Sequence, residues 1–194
     1  MKRILFVCTG NTCRSPMAEA LLRQMARQRG ITLAVRSAGV STVDGLPVSR
    51  QTLETLRRRD IDHTGTSRAM TAEAINWADL ILTMTSGHKR DLIHRHPASV
   101  DKVYTLKEFA NQDESVLADI SEMEQLYTEM QMKAALGGQL TPEERGRLLE
   151  LERRIPSFDI ADPFGGPQSL YDATSEEIEE AVRQLLDKLT RRGQ

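Results

Sequence analysis

Phe6-Val7-Cys8-Thr9-Gly10-Asn11-Thr12-Cys13-Arg14-Ser15-Pro16-Met17 joins an apolar run to a helix start. The turn between them holds two cysteines, a glycine, an asparagine and an arginine. Upstream, Lys2 to Cys8 is rich in Ile, Phe and Val and reads as a buried strand. Downstream, Ser15 suits an N-cap and Pro16 the first helical position, and Met17, Ala20, Leu21 and Met25 recur at helical spacing until Gly30. A strand, a tight loop and a helix in this order begin an α/β unit.

The rest of the chain continues the alternation. Leu33 to Ser37, closed by Ala38-Gly39, reads as a second strand, Asp79 to Met84 as a third and Lys102 to Leu106 as a fourth. Helical patterns fall at 49–59, where Leu53 and Leu56 are expected to face inward, and at 71–77 and 87–94. A final helix over 175–191 turns Ile178, Val182, Leu185, Leu186 and Leu189 to the core. The expected fold is α/β: a four-stranded parallel sheet, doubly wound in the three-layer, flavodoxin-like manner. Ligands of such sheets sit beyond the carboxyl ends of the strands, where the loop from Cys8 to Ser15 lies.

Residues 112–154 break the rhythm. Val116, Ile120, Met123, Tyr127, Met130 and Ala134 step by four and three, as in a coiled-coil seam. Gly137-Gly138 is a turn, Thr141-Pro142-Glu143-Glu144 a capped helix start, and Leu148, Leu151 and Ile155 an apolar side. The expectation is one domain over 1–194 with an inserted helical hairpin, either folded onto its own domain or serving as a protein-contact arm.

Composition narrows the partners. A chain of 194 residues suffices for one domain with a real core. A net charge of -2 argues against broad electrostatic capture of nucleic acid. No apolar run approaches the ~20 residues of a membrane span. The short apolar stretch after Met1-Lys2-Arg3 is not a leader, because charge resumes at Arg14. A cytoplasmic protein is expected, with neither nucleic acid nor membrane as partner. Cys8 and Cys13, the only cysteines, can neither staple distant segments nor build a structural zinc site. His94 and His96 flank Arg95, which disfavours a cation, and His63 and His88 carry no convincing partner. Trp77 reads as core. No metal or cofactor is expected.

The loop itself points to anion chemistry. Cys8 and Arg14, six positions apart, can close it around one tetrahedral anion, with the amides of Thr9, Gly10, Asn11, Thr12, Cys13 and Ser15 converging as a nest. Gly10 is expected to allow a backbone geometry that a side chain would forbid, and Asn11 to tolerate a left-handed one and bond the loop internally. Arg14 offers a planar, permanently charged fork for two phosphate oxygens. A helix N-terminus and Arg14 both favour a Cys8 thiolate, the nucleophilic form, and Ser15 can donate to the sulfur. Cys8 as a buried strand-end residue and Arg14 as a surface residue is the plain alternative. The strand before, the Ser-Pro start after, and Gly and Asn inside favour the anion loop; a Walker loop does not fit. A general acid is needed for the leaving group. Asp162, in the stiffened loop Asp162-Pro163-Phe164-Gly165-Gly166-Pro167, is a candidate, though Asp-Pro is also an ordinary turn. Cys13 is either a small filler or a partner that captures oxidised Cys8 as a disulfide.

This loop near the N-terminus, Arg36-Ser37-Ala38-Gly39 and the late Asp162-Pro163 resemble the low-molecular-weight protein tyrosine phosphatase family. More narrowly, Cys8 to Ser15, Thr83-Met84-Thr85-Ser86-Gly87-His88-Lys89 and Asp162 to Gly166 look like its bacterial protein arginine phosphatase branch. The likeness leaves out the insertion, which enters shortly before Asp162 and could pack over that loop or move with it. The resemblance implies Cys8 as nucleophile, Arg14 as phosphate clamp, Asp162 as acid and then base, and Ser37 bracing the loop through Asn11. It implies hydrolysis of phosphoarginine in proteins through a cysteinyl phosphate, without metal, and leans Cys13 toward the redox role. Thr12 stands where tyrosine-directed relatives usually carry a larger aliphatic residue, and Phe164-Gly165 where they commonly carry paired tyrosines. Tyrosine phosphatase activity is the first alternative, and non-catalytic binding of phosphoproteins a more distant one. An arsenate reductase would need further cysteines, and a phosphocarrier would need neither Arg14 nor a late acid.

Overall fold

Side chains of strand β1 (Lys2–Cys8) alternate between two cores: Ile4, Phe6 and Cys8 join one apolar cluster, Leu5 and Val7 the other. A strand buried on both faces belongs at the centre of a parallel sheet. β1 lies between β2 (Leu33–Gly39) and β3 (Leu80–Thr83), with β4 (Val103–Thr105) beyond β3. All neighbours are parallel, in the order β2-β1-β3-β4. One face is covered by α1 (Arg14–Gln28) and α8 (Gln168–Arg191), through Met17, Leu21 and Leu22 with Ile178, Val182 and Leu185. The other is covered by α3 (Ala72–Trp77) and α4 (Ser86–Arg95), through Ile75 and Leu92. The expected three-layer fold is what forms. Each fully buried Leu or Ile stabilises it by about 1.5–3 kcal/mol.

This computed structural model describes residues 1–191. The chain forms two compact units, one of Met1–Ala110 with the chain from Phe158 onward, the other Asn111–Ser157. Among the described residues no helix is long and apolar enough to cross a membrane. The second unit is a helix pair, α6 (Glu114–Ala135) and α7 (Pro142–Arg154), with α5 (Leu106–Ala110) ending the first unit's opening segment. Thr141 and Glu144 form the capping box at the start of α7. Leu148 and Leu151 are buried, whereas no residue of α6 is. The seam along α6 is therefore shallower than its spacing predicts: Val116, Ile120 and Met123 are half-buried, and Tyr127, Met130 and Ala134 are exposed. Polar pairs link the helices instead: Arg147 to Glu122 and Lys133 to Glu144, both at 2.6 Å, and the Tyr127 hydroxyl to Glu152 at 2.6 Å.

Local differences have local causes. Gly30 (φ 67°) ends α1 in a Schellman arrangement, with Ile31 N–H donating to the Ala26 carbonyl at 2.8 Å. In α2 (Arg50–Arg57) Leu53 is exposed, and Thr52, Thr55 and Leu56 face inward. The packed face is partly polar: the Thr55 hydroxyl donates to Asp172 at 2.8 Å and accepts from Gln168 at 2.7 Å. α8 begins at Gln168, so Ser175 is buried mid-helix. Trp77 is half-buried, and the Arg36 guanidinium lies 4.2 Å over its ring, which makes it a stacking surface as well.

Gly39, opposite Cys8 in the ladder, is where β2 meets the loop. Val40 N–H donates to the Cys8 carbonyl and Ser41 N–H to the Thr9 carbonyl, each at 3.0 Å. A Cβ on Gly39 would stand 2.5 Å from the Thr9 carbonyl oxygen and 3.1 Å from the Asn11 nitrogen, both backbone atoms. Gly39→Ala is expected to cost about 1–3 kcal/mol. Denaturant titration measures this, and an unmoved midpoint would show that the loop can yield.

Candidate active site

The loop leaves β1 at Cys8 and enters α1 at Arg14, with Cys13 as the N-cap residue. Ser15 does not cap the helix as its position suggests. Its hydroxyl lies 2.9 Å from Cys8 Sγ and accepts from Asn11 Nδ2 at 2.8 Å. Asn11 takes the left-handed conformation, φ 55°. Its amide nitrogen also donates to the Ser37 hydroxyl at 2.9 Å, its carbonyl oxygen accepts from the Arg68 amide at 2.8 Å, and its backbone N–H points at Cys8 Sγ from 3.3 Å. Ser37 in turn donates to Glu19 at 2.5 Å. Gly10 differs from expectation. It has no positive φ, and a Cβ there would meet only Thr12 Oγ1, at 3.6 Å. Asn11 takes the strained position, and Gly10 leaves open space beside Thr12.

Arg14 is almost fully buried, which is rare for a charge without partners. Nη1 donates to the Ile160 carbonyl at 2.9 Å, and Nη2 pairs with Asp162 Oδ2 at 3.2 Å. Asp162 is half exposed, so the pair adds little stability. It does put the late carboxylate over the early loop. Asp162 Oδ1 also accepts from Phe164 N–H at 3.2 Å, fixing the turn. Cys8, Thr9, Gly10, Thr12, Cys13, Arg14, Asp162 and Phe164 line a cleft of about 190 Å³. A larger, shallow hollow of about 490 Å³ beside Arg36, Asp44 and Arg68 holds no cysteine.

Cys8 is fully buried, and burial pushes its thiol pKa up. The Ser15 hydroxyl and amide, the Arg14 charge and the Asn11 amide pull it down without cancelling that rise. Sequence reasoning counted the groups that favour thiolate and missed the desolvation. Cys13 is a second free, buried thiol, its sulfur 3.6 Å from both the Ser49 and Tyr171 hydroxyls. Tyr171 lies in the first turns of α8, which sequence periodicity did not reach.

His88 was also missed. It stands between Thr9 and Thr85, with Nε2 2.8 Å from Thr9 Oγ1 and Nδ1 3.0 Å from Thr85 Oγ1. Its signal was the Thr85-x-x-His88 spacing of a helix start.

Since the Ser15 hydroxyl is the largest influence lowering the Cys8 pKa, Ser15→Ala should push that pKa further up. Iodoacetamide alkylation of Cys8 at neutral pH then slows several-fold, and its midpoint moves to higher pH. An unmoved midpoint would mean that the hydroxyl does not act on the sulfur.

A model of the low molecular weight phosphotyrosine protein phosphatases matches residues 3–129. The chain is 35% identical over 187 residues to the protein-arginine-phosphatase of Geobacillus stearothermophilus, covering 96% of this chain and 95% of that protein. It is 33% identical over 186 residues to that of Bacillus subtilis, covering 96% and 95%. Among solved structures it resembles a mutant of the YwlE arginine phosphatase with a phosphorylated active-site serine (TM-score 0.72, 32% identity, 97% of this chain and 95% of that one). With a family model across most of its length and relatives aligned nearly end to end, the chain belongs to the low molecular weight phosphotyrosine protein phosphatase family.

Proposed function

We propose that this protein is a phosphatase that removes phosphate from phosphoarginine in proteins, by way of a cysteinyl phosphate. The observation that carries the reading is the convergence of Cys8, Arg14 and Asp162 on one small cleft. The phosphoryl group seats against the loop amides and the Arg14 fork, which offset the charge on its equatorial oxygens. Cys8 attacks phosphorus in line as the thiolate, its proton having passed to the Asp162 carboxylate, so that Asp162 enters the step protonated. The P–N bond breaks as Asp162 delivers a proton to the departing guanidino nitrogen. That proton is essential, because a guanidine anion is a very poor leaving group. Asp162, now ionised, takes a proton from water as the water oxygen attacks phosphorus. The S–P bond breaks and the sulfur leaves as thiolate.

Thr12 favours phosphoarginine over phosphotyrosine. It is half-buried in the cleft wall and presents a small polar surface suited to a slender guanidinium stem. Two relatives aligned along nearly the whole chain carry the protein-arginine-phosphatase name. Tyrosine phosphatase activity is the second reading, favoured by the family's description. Cys13 is proposed as the redox partner of Cys8: peroxide oxidises the Cys8 sulfur to the sulfenic acid, and the Cys13 thiol, leaving its hydroxyl neighbours, forms the S–S bond as the S–O bond breaks and water departs. Two free thiols suit a reducing compartment, the cytoplasm. The helix pair, with Leu117, Met132, Leu136 and Leu149 exposed, is proposed as the contact surface for protein substrates.

The test is kcat/KM on phosphoarginine and phosphotyrosine peptides. Wild type should prefer phosphoarginine, and Cys8→Ser should lose turnover on both. Thr12→Ile should shift the preference toward phosphotyrosine by about 1–3 kcal/mol. A wild type that prefers phosphotyrosine would replace the first reading with the second.

Asp162→Asn should lower turnover by roughly 10²–10⁴-fold, and less for substrates with good leaving groups such as p-nitrophenol. Equal losses along a leaving-group series would assign Asp162 a structural role.

A further inference from the structure

Both ring nitrogens of the buried His88 are engaged. Thr85 caps α4, its hydroxyl oxygen accepting the His88 amide N–H at 3.2 Å. That hydroxyl keeps one proton to give, and Nδ1 of a neutral ring can accept it. Nε2 then carries the ring proton and donates to Thr9 Oγ1. The ring stays neutral because burial and the Arg14 charge lower its pKa, against opposing influences from Asp162, Asp159 and Asp91. Thr9 is the residue directly after Cys8, so its side chain is anchored to a different strand-end turn from its backbone. The same turn holds the acid loop: Ser86 N–H donates to Asp159 at 2.7 Å, and Ile160 N–H to the Met84 carbonyl at 2.9 Å.

We infer that His88 is a positioning residue for the phosphate loop, its Nε2–H holding the Thr9 hydroxyl so that the amides after Cys8 stay aimed at the bound phosphoryl group. This rests on the phosphatase reading above. The role needs the hydrogen bond to Thr9, not the one to Thr85, and that difference is testable. A glutamine amide can reach where Nε2 stands, and an asparagine amide only where Nδ1 stands.

Inorganic phosphate affinity by calorimetry and kcat/KM on p-nitrophenyl phosphate are the two readouts. His88→Asn and Thr9→Val should each lower both by roughly 3–10-fold, the worth of one hydrogen bond. The double variant should lose no more than either single one, because both remove the same contact. His88→Gln should stay within about twofold of wild type, as the retained bond requires. Glutamine behaving like asparagine would overturn the inference, as would additive losses. The glutamine–asparagine contrast decides the matter even if Thr9→Val does not fold. Wild type that binds phosphate but turns over no phosphate ester would count against the phosphatase reading alone. The affinity pattern would then still decide the role of His88.

Discussion

Asn11 holds the loop from Cys8 to Ser15 closed from within. A loop whose N–H groups converge sets its dipoles against one another, so it needs bonds from outside to persist. One buried side-chain amide supplies them: to Ser15 in α1, to Ser37 in β2, and from the backbone of Arg68. Its own backbone takes the left-handed conformation that asparagine tolerates better than most residues. Each partner is buried or anchored, so losing the amide would strand polar groups at about 1–3 kcal/mol each. An aspartate of the same shape could accept but not donate, and would set a negative charge beneath the anion site. Glu19 extends the scaffold by fixing Ser37, which leaves the Ser37 oxygen free to accept from Asn11.

Cys8, the proposed nucleophile, lives with a compromise that this scaffold creates. Cys8 ends β1 on the face that holds Phe6, so the sheet that places it also buries it. Burial opposes ionisation, while a hydroxyl, two amides and a guanidinium favour it. A sulfur without these donors would be an inert core thiol. A sulfur with them but in water would lose the field that a dry site strengthens. Ser15 lies inside the first turn of α1 with its hydroxyl on Cys8 Sγ, and the N-cap position falls to Cys13, which makes no side-chain cap.

The junction from Lys2 to Met25 was legible in outline because an apolar strand, turn-forming residues and a helical stripe agreed, although the cap and the position of the positive φ were not. Arg14 and Cys8 stood out for the same reason. Asp162 did not stand out by spacing, since the chain holds 28 acidic residues; its stiffened loop made it a candidate, and the family likeness gave it its role. For His88 the local spacing to Thr85 was visible, but its contact with Thr9 was not, because Thr9 lies 79 positions away and only the fold joins them. Gly10 misled because glycine usually marks a positive φ, and here asparagine carries it. Leu53 misled because the inner face of α2 meets Asp172 and Gln168, which reward threonines over a leucine. In the helix pair the apolar spacing was visible, but spacing does not report depth, and polar pairs join the half where Tyr127 lies.

Sheet order explains how residues 154 positions apart come to share a cleft. β1 and β3 are neighbours, so their carboxyl ends open side by side where the chain changes winding direction. The end of β1 supplies the loop from Cys8 to Ser15. The end of β3 does not supply Asp162; it supplies the anchor of the loop that carries it. Met84 accepts from Ile160, Ser86 donates to Asp159, and Arg14 reaches across to the Ile160 carbonyl and the Asp162 carboxylate. Arg14 thereby has two tasks, lining the cleft and holding the loop that carries the acid. A lysine could offer charge to one of them at a time, but not a planar fork to both. The same geometry makes the position of the Asp162 carboxylate depend on the guanidinium that, in the proposed mechanism, the phosphoryl group also uses. On the proposed mechanism, binding and proton delivery are thus coupled through one side chain, and the coupling follows from placing β3 next to β1.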